Sequence, residues 1–255
     1  MNFFDAVILG VVEGITEFLP VSSTGHLILV SQLLKLPATE FLKTFEVSIQ
    51  MGAILAVVAL YWRKLLFDWE IMKRIVVALL PAIGIGFLFY ATIRELLASS
   101  LTVIIALFLG GVVLILFEVL RKEKEGSITD LGTLPYKTAF SIGAFQALSV
   151  IPGVSRAGAT ILGGLLFGMK RTAIVEFSFL LAVPTMVAAT TLDLWKNAAL
   201  FSLGDMHLFL TGFVTSFVVA LFAVKFFLRF VESHTFIPFG IYRIAVALLF
   251  FIFVF

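Results

Sequence analysis

The sequence predicts an all-α polytopic membrane protein, an inverted-topology repeat with two re-entrant helix pairs and six spanning helices. Three observations predict it. The first is composition: of 255 residues, 61% are hydrophobic and only 13% charged, with a mean hydropathy of +1.15. A soluble domain sits nearer 45–50% apolar and about 25% charged. The second is a pair of polar, Pro/Gly/Ser-rich breaks at matching places in the two halves, Glu13-Gly-Ile-Thr-Glu17-Phe-Leu-Pro20-Val-Ser22-Ser23-Thr24-Gly25-His26 and Gln146-Ala-Leu-Ser-Val-Ile-Pro152-Gly153-Val-Ser155-Arg156-Ala-Gly158-Ala-Thr160. Helix breakers and charges at membrane depth are tolerated only where they are buried in protein or line a cavity. The third is that each break is followed by three apolar runs long enough to span.

The elements follow in order. Residues 2–19 and 21–36 are two short apolar pieces meeting at Pro20-Val-Ser-Ser. Pieces of this length are re-entrant or interfacial rather than spanning. Spans are expected at 44–62, 71–93 and 100–120, and residues 1–120 form the first repeat. A polar linker, residues 121–137, opens with Arg121-Lys-Glu-Lys-Glu-Gly-Ser-Ile-Thr-Asp130. The second re-entrant pair is 138–151 with 156–169. Spans at 173–192, 206–228 and 237–255 complete the second repeat, 138–255. Glu46 and Glu176, each in a Glu-x-Ser context, open the first span of their halves and support the repeat. Three crossings is odd, so the second half sits inverted in the bilayer, a recurrent plan that brings broken helices together near the midplane.

Orientation follows from Lys and Arg. Lys35, Lys43, Arg94 and Lys196 fall on one side. Arg63, Lys64, Lys73, Arg74, Arg121, Lys122, Lys124, Lys137, Lys170, Arg171, Lys225 and Arg229 fall on the other, which is therefore cytoplasmic. The absence of Cys excludes disulfides, thiolate catalysis and Zn–thiolate sites. No secretory signal peptide is visible, since Asp5 and Glu13 interrupt the first apolar run. No basic stripe with interleaved aromatics exists, so nucleic acid is not expected as a partner.

The breaks carry the chemistry. Glu13 and Glu17 are four apart and share one helix face, where like charges repel. A carboxylate leaving water must be paired, coordinated or protonated. A divalent cation removes that penalty, and Mg²⁺ is typically held by one or two carboxylates plus substrate phosphates. Ser22, Ser23 and Thr24 stand where a helix N-cap belongs, and Ser155 opens the corresponding helix of the second half. A helix N-terminus with free N–H groups favours an anion, and Gly153 and Gly158 let backbone approach a ligand closely. Arg156 is a permanent cation whose planar fork suits phosphate oxygens; a salt bridge to Glu13 or Glu17 is compatible with that role. His26 shares a helix face with Ser23, and its ordinary pKa suits acid–base work. Such parts suit phosphoryl transfer, whose transition state needs positioning and charge neutralisation. Arg243, inside the last span, must pair or snorkel, and a Glu of another helix is its expected partner. His207 and His234 lie at helix ends in solvent.

The run Glu13 to His26 and the run Pro152-Gly-Val-Ser-Arg-Ala-Gly-Ala-Thr160 resemble the two signature motifs of the undecaprenyl-pyrophosphate phosphatases, also called bacitracin-resistance proteins. Phe45-Glu46-Val-Ser-Ile-Gln50 and Glu176-Phe-Ser-Phe-Leu-Leu181 are similar to further family segments. One departure is Ala157, where the family more often has Ser. The resemblance implies a bacterial inner-membrane hydrolase that converts undecaprenyl pyrophosphate to undecaprenyl phosphate and inorganic phosphate. That reaction recycles the carrier lipid of peptidoglycan synthesis and confers bacitracin resistance. It also implies a divalent cation, Mg²⁺ or Ca²⁺, and an active site opening to the extracytoplasmic side. The partners implied are undecaprenyl pyrophosphate and membrane lipid, with a homodimer as the candidate assembly.

The family's functional residues fall on Glu13, Glu17, Ser23, His26, Ser155, Arg156 and Thr160. Glu17, Ser23, His26 and Arg156 are expected to be catalytic. Ser22, Thr24, Gly153, Ser155, Gly158 and Thr160 are expected to bind substrate, and Glu13 with Glu17 the metal. Ser23, His26 and water all remain open as the nucleophile, with a slight lean to Ser23. A lipid-phosphate transporter is the rival from another class, since midplane sites between inverted repeats are typical of transporters. A structural membrane protein leaves the clustered polar motifs without a role.

Overall fold

The computed structural model describes residues 1–88, 100–121, 127–196 and 204–254. Arg94, Lys122, Lys124 and the side chain of Lys196 lie outside the described residues, as do the ends of the second and sixth expected spans. The described chain is helical, and its β content is one isolated bridge, Ile128 to Met169.

The first break separates α1 (Phe3–Thr16) from α2 (Ser23–Leu33). A capping box starts α1: the Asn2 side chain accepts from the Asp5 N–H at 3.0 Å, and Asp5 accepts from the Asn2 N–H at 2.6 Å. Three long helices follow, α3 (Glu40–Phe67), α4 (Trp69–Leu88) and α5 (Ser100–Leu120). The second half repeats the order with α6 (Tyr136–Ala147), α7 (Arg156–Leu166), α8 (Arg171–Lys196), α9 (Met206–Ser233) and α10 (Ile237–Val254). At about 1.5 Å per residue, α1, α2, α6 and α7 are too short for a hydrocarbon core of about 30 Å, as expected of re-entrant pieces. Glu40–Phe67, Ser100–Leu120, Arg171–Thr191 and Met206–Ser233 are long and apolar enough to cross a membrane. Glu46 stands nearly two turns inside α3 and Glu176 about one and a half turns inside α8 rather than opening them; α3 starts early because Thr39 caps it, its hydroxyl accepting from the Leu42 N–H at 3.2 Å.

The long helices are sorted for lipid. Along α9, Leu210, Val214, Val218, Phe222 and Phe226 are exposed at every fourth position, while Gly212, Ser216 and Ala220 face inward. Small residues let backbones approach closely where no water drives association. Here they receive α1: a Cβ on Gly10 would stand 2.7 Å from the Gly212 carbonyl oxygen. On α6, Gly143 abuts the Ala78 backbone of α4 in the same way. Ala6, Gly10, Glu13 and Gly14 thus stand in α1 where Ala139, Gly143, Gln146 and Ala147 stand in α6. The first short helix of each half packs on the second long helix of the other half, α1 on α9 and α6 on α4, while α3 meets α8 and α5 meets α10.

Candidate active site

Both breaks end in the protein interior. Glu17 caps the C-terminus of α1, its N–H bonded to the Glu13 carbonyl at 3.0 Å. The chain then turns through Phe18–Val21 into Ser22, whose φ of 72° is left-handed. A non-glycine residue held there stores about 1–3 kcal/mol and marks functional segments. The Ser22 carbonyl is fixed by two donors of the next turn, the His26 N–H at 3.2 Å and His26 Nδ1 at 2.8 Å. No side chain caps α2, so its first amides point into the break.

Three side chains from the two breaks form one buried chain. The Ser23 hydroxyl donates to Glu17 Oε2 in a short hydrogen bond. Arg156 Nη2 donates to Glu17 Oε1 at 3.0 Å, and its Nη1 to the Ser178 carbonyl at 3.0 Å. The ion pair is almost dry, with side-chain exposures of 11% for Arg156 and 5% for Glu17. The guanidinium also lies 5.8 Å from the Phe18 ring centroid. Ser23 and His26 share α2, as their spacing implied, with the Ser23 hydroxyl turned back to Glu17 and His26 turned to the far half of the chain. His26 Nε2 lies 2.8 Å from the Tyr242 hydroxyl, with the rings near parallel at 5°. Because Nδ1 meets a carbonyl, it carries the proton, and in the neutral ring Nε2 accepts from Tyr242.

Polar atoms left without protein partners indicate where a ligand fits. Both carboxylate oxygens of Glu13 are buried and unpartnered, as are Arg156 Nε and the Ser178 hydroxyl. Glu13 is fully buried, in the field of Glu17, Glu46 and Arg156. Buried polar groups are almost always hydrogen-bonded, so each exception calls for an explanation. Among the described residues no group of three His, Asp or Glu converges as a self-sufficient metal centre. Glu13 and Glu17 are two carboxylates that could face one cation, whose remaining oxygen ligands would be hydroxyls, carbonyls, water or substrate.

The remaining expected residues are spread around this chain. Ser155 caps α7, accepting from the Gly158 N–H at 3.0 Å and donating to the Leu19 carbonyl at 3.4 Å. Arg156 and Ala157 therefore keep first-turn amides that the cap does not use. The Thr160 hydroxyl donates to the Arg156 carbonyl at 2.8 Å and stands 3.4 Å from Gln146 Oε1. Thr24 is half-buried at the start of α2. Glu46 accepts from Ser31 at 2.9 Å, and Glu176 pairs with Lys64. His207 and His234 are exposed. Arg243 is corrected: it donates to four backbone carbonyls and pairs with no carboxylate of the described residues. Tyr242 was not foreseen; the one available signal was its place beside Arg243 in the last span.

A family model described as bacitracin resistance protein BacA matches residues 6–249. The chain is 52% identical over 252 residues to a protein of Sulfurihydrogenibium sp. (strain YO3AOP1) named undecaprenyl-diphosphatase, covering 99% of each chain. It is 51% identical to the protein of that name from Aquifex aeolicus, over 98% of each chain. It is 52% identical to that from Persephonella marina, over 100% of each. With both breaks, the buried ion pair between them and these full-length likenesses in view, the chain belongs to the bacitracin resistance protein BacA family.

Proposed function

We propose that the protein hydrolyses undecaprenyl pyrophosphate to undecaprenyl phosphate and inorganic phosphate, the reaction for which its relatives are named. The observation that carries this reading is the buried chain Ser23–Glu17–Arg156, which joins a hydroxyl, a carboxylate and a guanidinium from opposite halves. A pure lipid carrier needs cationic contacts but has no use for a hydroxyl held on a buried carboxylate.

The pyrophosphate sits between the two breaks, its prenyl tail among the apolar outer faces. Arg156, the first-turn amides of α2 and α7 and the hydroxyls of Ser22 and Thr24 receive phosphoryl oxygens, and the hydroxyls of Ser155 and Thr160 join them by turning their protons from the Leu19 and Arg156 carbonyls to the substrate. Gly153 and Gly158 keep the backbone close. A divalent cation, Mg²⁺ or Ca²⁺, between Glu13, Glu17 and the substrate neutralises phosphate charge when bound, and the unpartnered oxygens of Glu13 support that placement. Ser23 is the nucleophile. Its proton passes to Glu17 Oε2 as Oγ bonds to the terminal phosphorus and the bond to the bridging oxygen breaks, releasing undecaprenyl phosphate. Water then releases orthophosphate from the serine. His26, with its Nδ1 proton held by Ser22, exchanges protons at Nε2 through Tyr242.

The halves form inverted repeats in the cytoplasmic membrane, with the site opening to the extracytoplasmic side. The exchanged packing of α1 on α9 and α6 on α4 supports the repeat. The carrier lipid is thereby recycled for peptidoglycan synthesis, which accounts for bacitracin resistance.

The test is orthophosphate release from undecaprenyl pyrophosphate by the detergent-purified chain, with and without chelator. Release is expected, at least about 100-fold lower after chelation and restored by Mg²⁺ or Ca²⁺. No release under any metal condition overturns the phosphatase reading, and release unaffected by chelation overturns the cation. A smaller effect is expected at the proton relay. Tyr242→Phe keeps the ring beside His26 but removes one hydrogen bond, worth about 1 kcal/mol, so kcat falls about fivefold. An unchanged kcat would place Tyr242 outside the relay.

A further inference from the structure

Arg243 stands midway along α10, in an otherwise apolar helix, and is 3% exposed. Its Nη1 donates to the Pro20 carbonyl at 3.1 Å, and its Nη2 to the carbonyls of Gly153 and Ala106 at 3.1 Å each. Its Nε donates to the Leu107 carbonyl at 3.3 Å. Pro20 lies in the first break, Gly153 in the second, and Ala106 and Leu107 in α5. One guanidinium therefore joins three separate segments, two of them the breaks that carry the candidate site.

The arrangement has a physical logic. The Pro20 and Gly153 carbonyls lie in broken helices without the amide four residues on that would have paired with them, and away from water such orphans are costly. Arginine offers five N–H donors in a fixed plane and stays charged, so it can meet several carbonyls at set angles. The neighbouring helix is shaped to admit it. A Cβ on Gly110 would lie 2.7 Å from Arg243 Cζ, and one on Gly111 would lie 2.7 Å from the Gly240 carbonyl oxygen of α10. Gly153, at φ 89°, brings its own carbonyl in by passing close to α5, where a Cβ would stand 2.6 Å from the Val103 oxygen.

We infer that Arg243 is a positioning residue that clasps the two breaks together. It sets the separation at which Ser23 and Glu17 of the first face Arg156 of the second. It acts through backbone carbonyls, and its planar donor fork matters as well as its charge. This inference rests on the phosphatase reading.

The test compares the wild type with Arg243→Lys and Gly110→Ala, by steady-state phosphate release and by amide hydrogen exchange of peptides covering residues 18–22 and 151–155. Lysine keeps the charge but has three donors and no plane. Gly110→Ala keeps Arg243 but intrudes on its guanidinium. Each is expected to lower kcat roughly 30-fold or more through misplacement of the reacting groups, with KM changed less than about threefold because the tail and phosphate contacts persist. Exchange should rise in both breaks together. Wild-type kcat in Arg243→Lys means that a buried charge suffices, and overturns the clasp. Exchange rising throughout the chain means general destabilisation, and also overturns it. Should Arg243→Lys not fold, Gly110→Ala decides: wild-type kcat and exchange there overturn the proposal. Failure of the wild type to release phosphate would remove the phosphatase reading, a result distinct from any of these.

Discussion

Glu17→Gln lowers orthophosphate release by at least about 1,000-fold, with the protein still folded, is the first expected result. One carboxylate serves three partners: the Ser23 hydroxyl on Oε2, Arg156 on Oε1 and, in the proposed mechanism, the cation. Loss of a general base alone costs about 10²–10⁴ in rate. Glutamine keeps the volume and one acceptor oxygen, so packing around Phe18 survives, but it leaves the Arg156 cation buried without its partner. Breaking such a pair costs about 3–5 kcal/mol of stability, which a melting measurement in detergent should register as a lower transition rather than as absence of fold. Ser23→Ala separates the chemical roles. With Ser23 as nucleophile it is as inactive as Glu17→Gln, and substantial turnover by it would rule out a seryl-phosphate step. Turnover by Glu17→Gln within about tenfold of wild type would remove Glu17 from both proton transfer and cation binding.

Arg156→Lys is expected to lose about 100-fold or more in kcat/KM, and Arg156→Ala more still. An arginine placed on a transferring phosphoryl group is worth about 10³–10⁵ in rate. Here the guanidinium is oriented by the Ser178 carbonyl, by Glu17 and by the face of Phe18, and its Nε–H remains free for substrate. Lysine returns the charge but cannot hold the Ser178 carbonyl and the Glu17 carboxylate together and present another donor at a fixed angle. The double variant Glu17→Gln/Arg156→Lys should lose less than the product of the two single losses, because each residue works through the other. Simple multiplication of the single effects would mean that they act independently, against the geometry.

Much of this architecture was legible before any coordinates. The break positions were readable because Pro20, Pro152 and their Ser and Gly neighbours cannot continue a helix. The long apolar helices were readable because bilayer thickness sets how long an apolar run must be, and four of them, Glu40–Phe67, Ser100–Leu120, Arg171–Thr191 and Met206–Ser233, are long and apolar enough to cross. The cap at Ser155 and the pairing of Arg156 with a glutamate of the other half followed from the cost of leaving charges and amides unpaired. Spacing along one helix was informative only up to a point. Ser23 and His26 sit three apart on α2, yet spacing says only which face they share, and not that Ser23 would turn to Glu17, behind the break, and His26 to Tyr242. Arg243 was recognised as anomalous, but carbonyls exposed by broken helices were not weighed against a glutamate as its partners.

The sequence by itself determined that the chain is a membrane protein with two Pro/Gly/Ser-rich breaks that carry its clustered polar residues. It could do so because hydropathy, helix breaking and charge burial are local costs, charged to each residue wherever the fold puts it. Only the tertiary structure decided which polar group meets which. The bonds of Arg156 to Glu17, His26 to Tyr242 and Arg243 to Pro20 and Gly153 join residues far apart in the chain. Their geometry depends on how closely the glycine-lined helices approach, and no run of neighbouring residues encodes that distance.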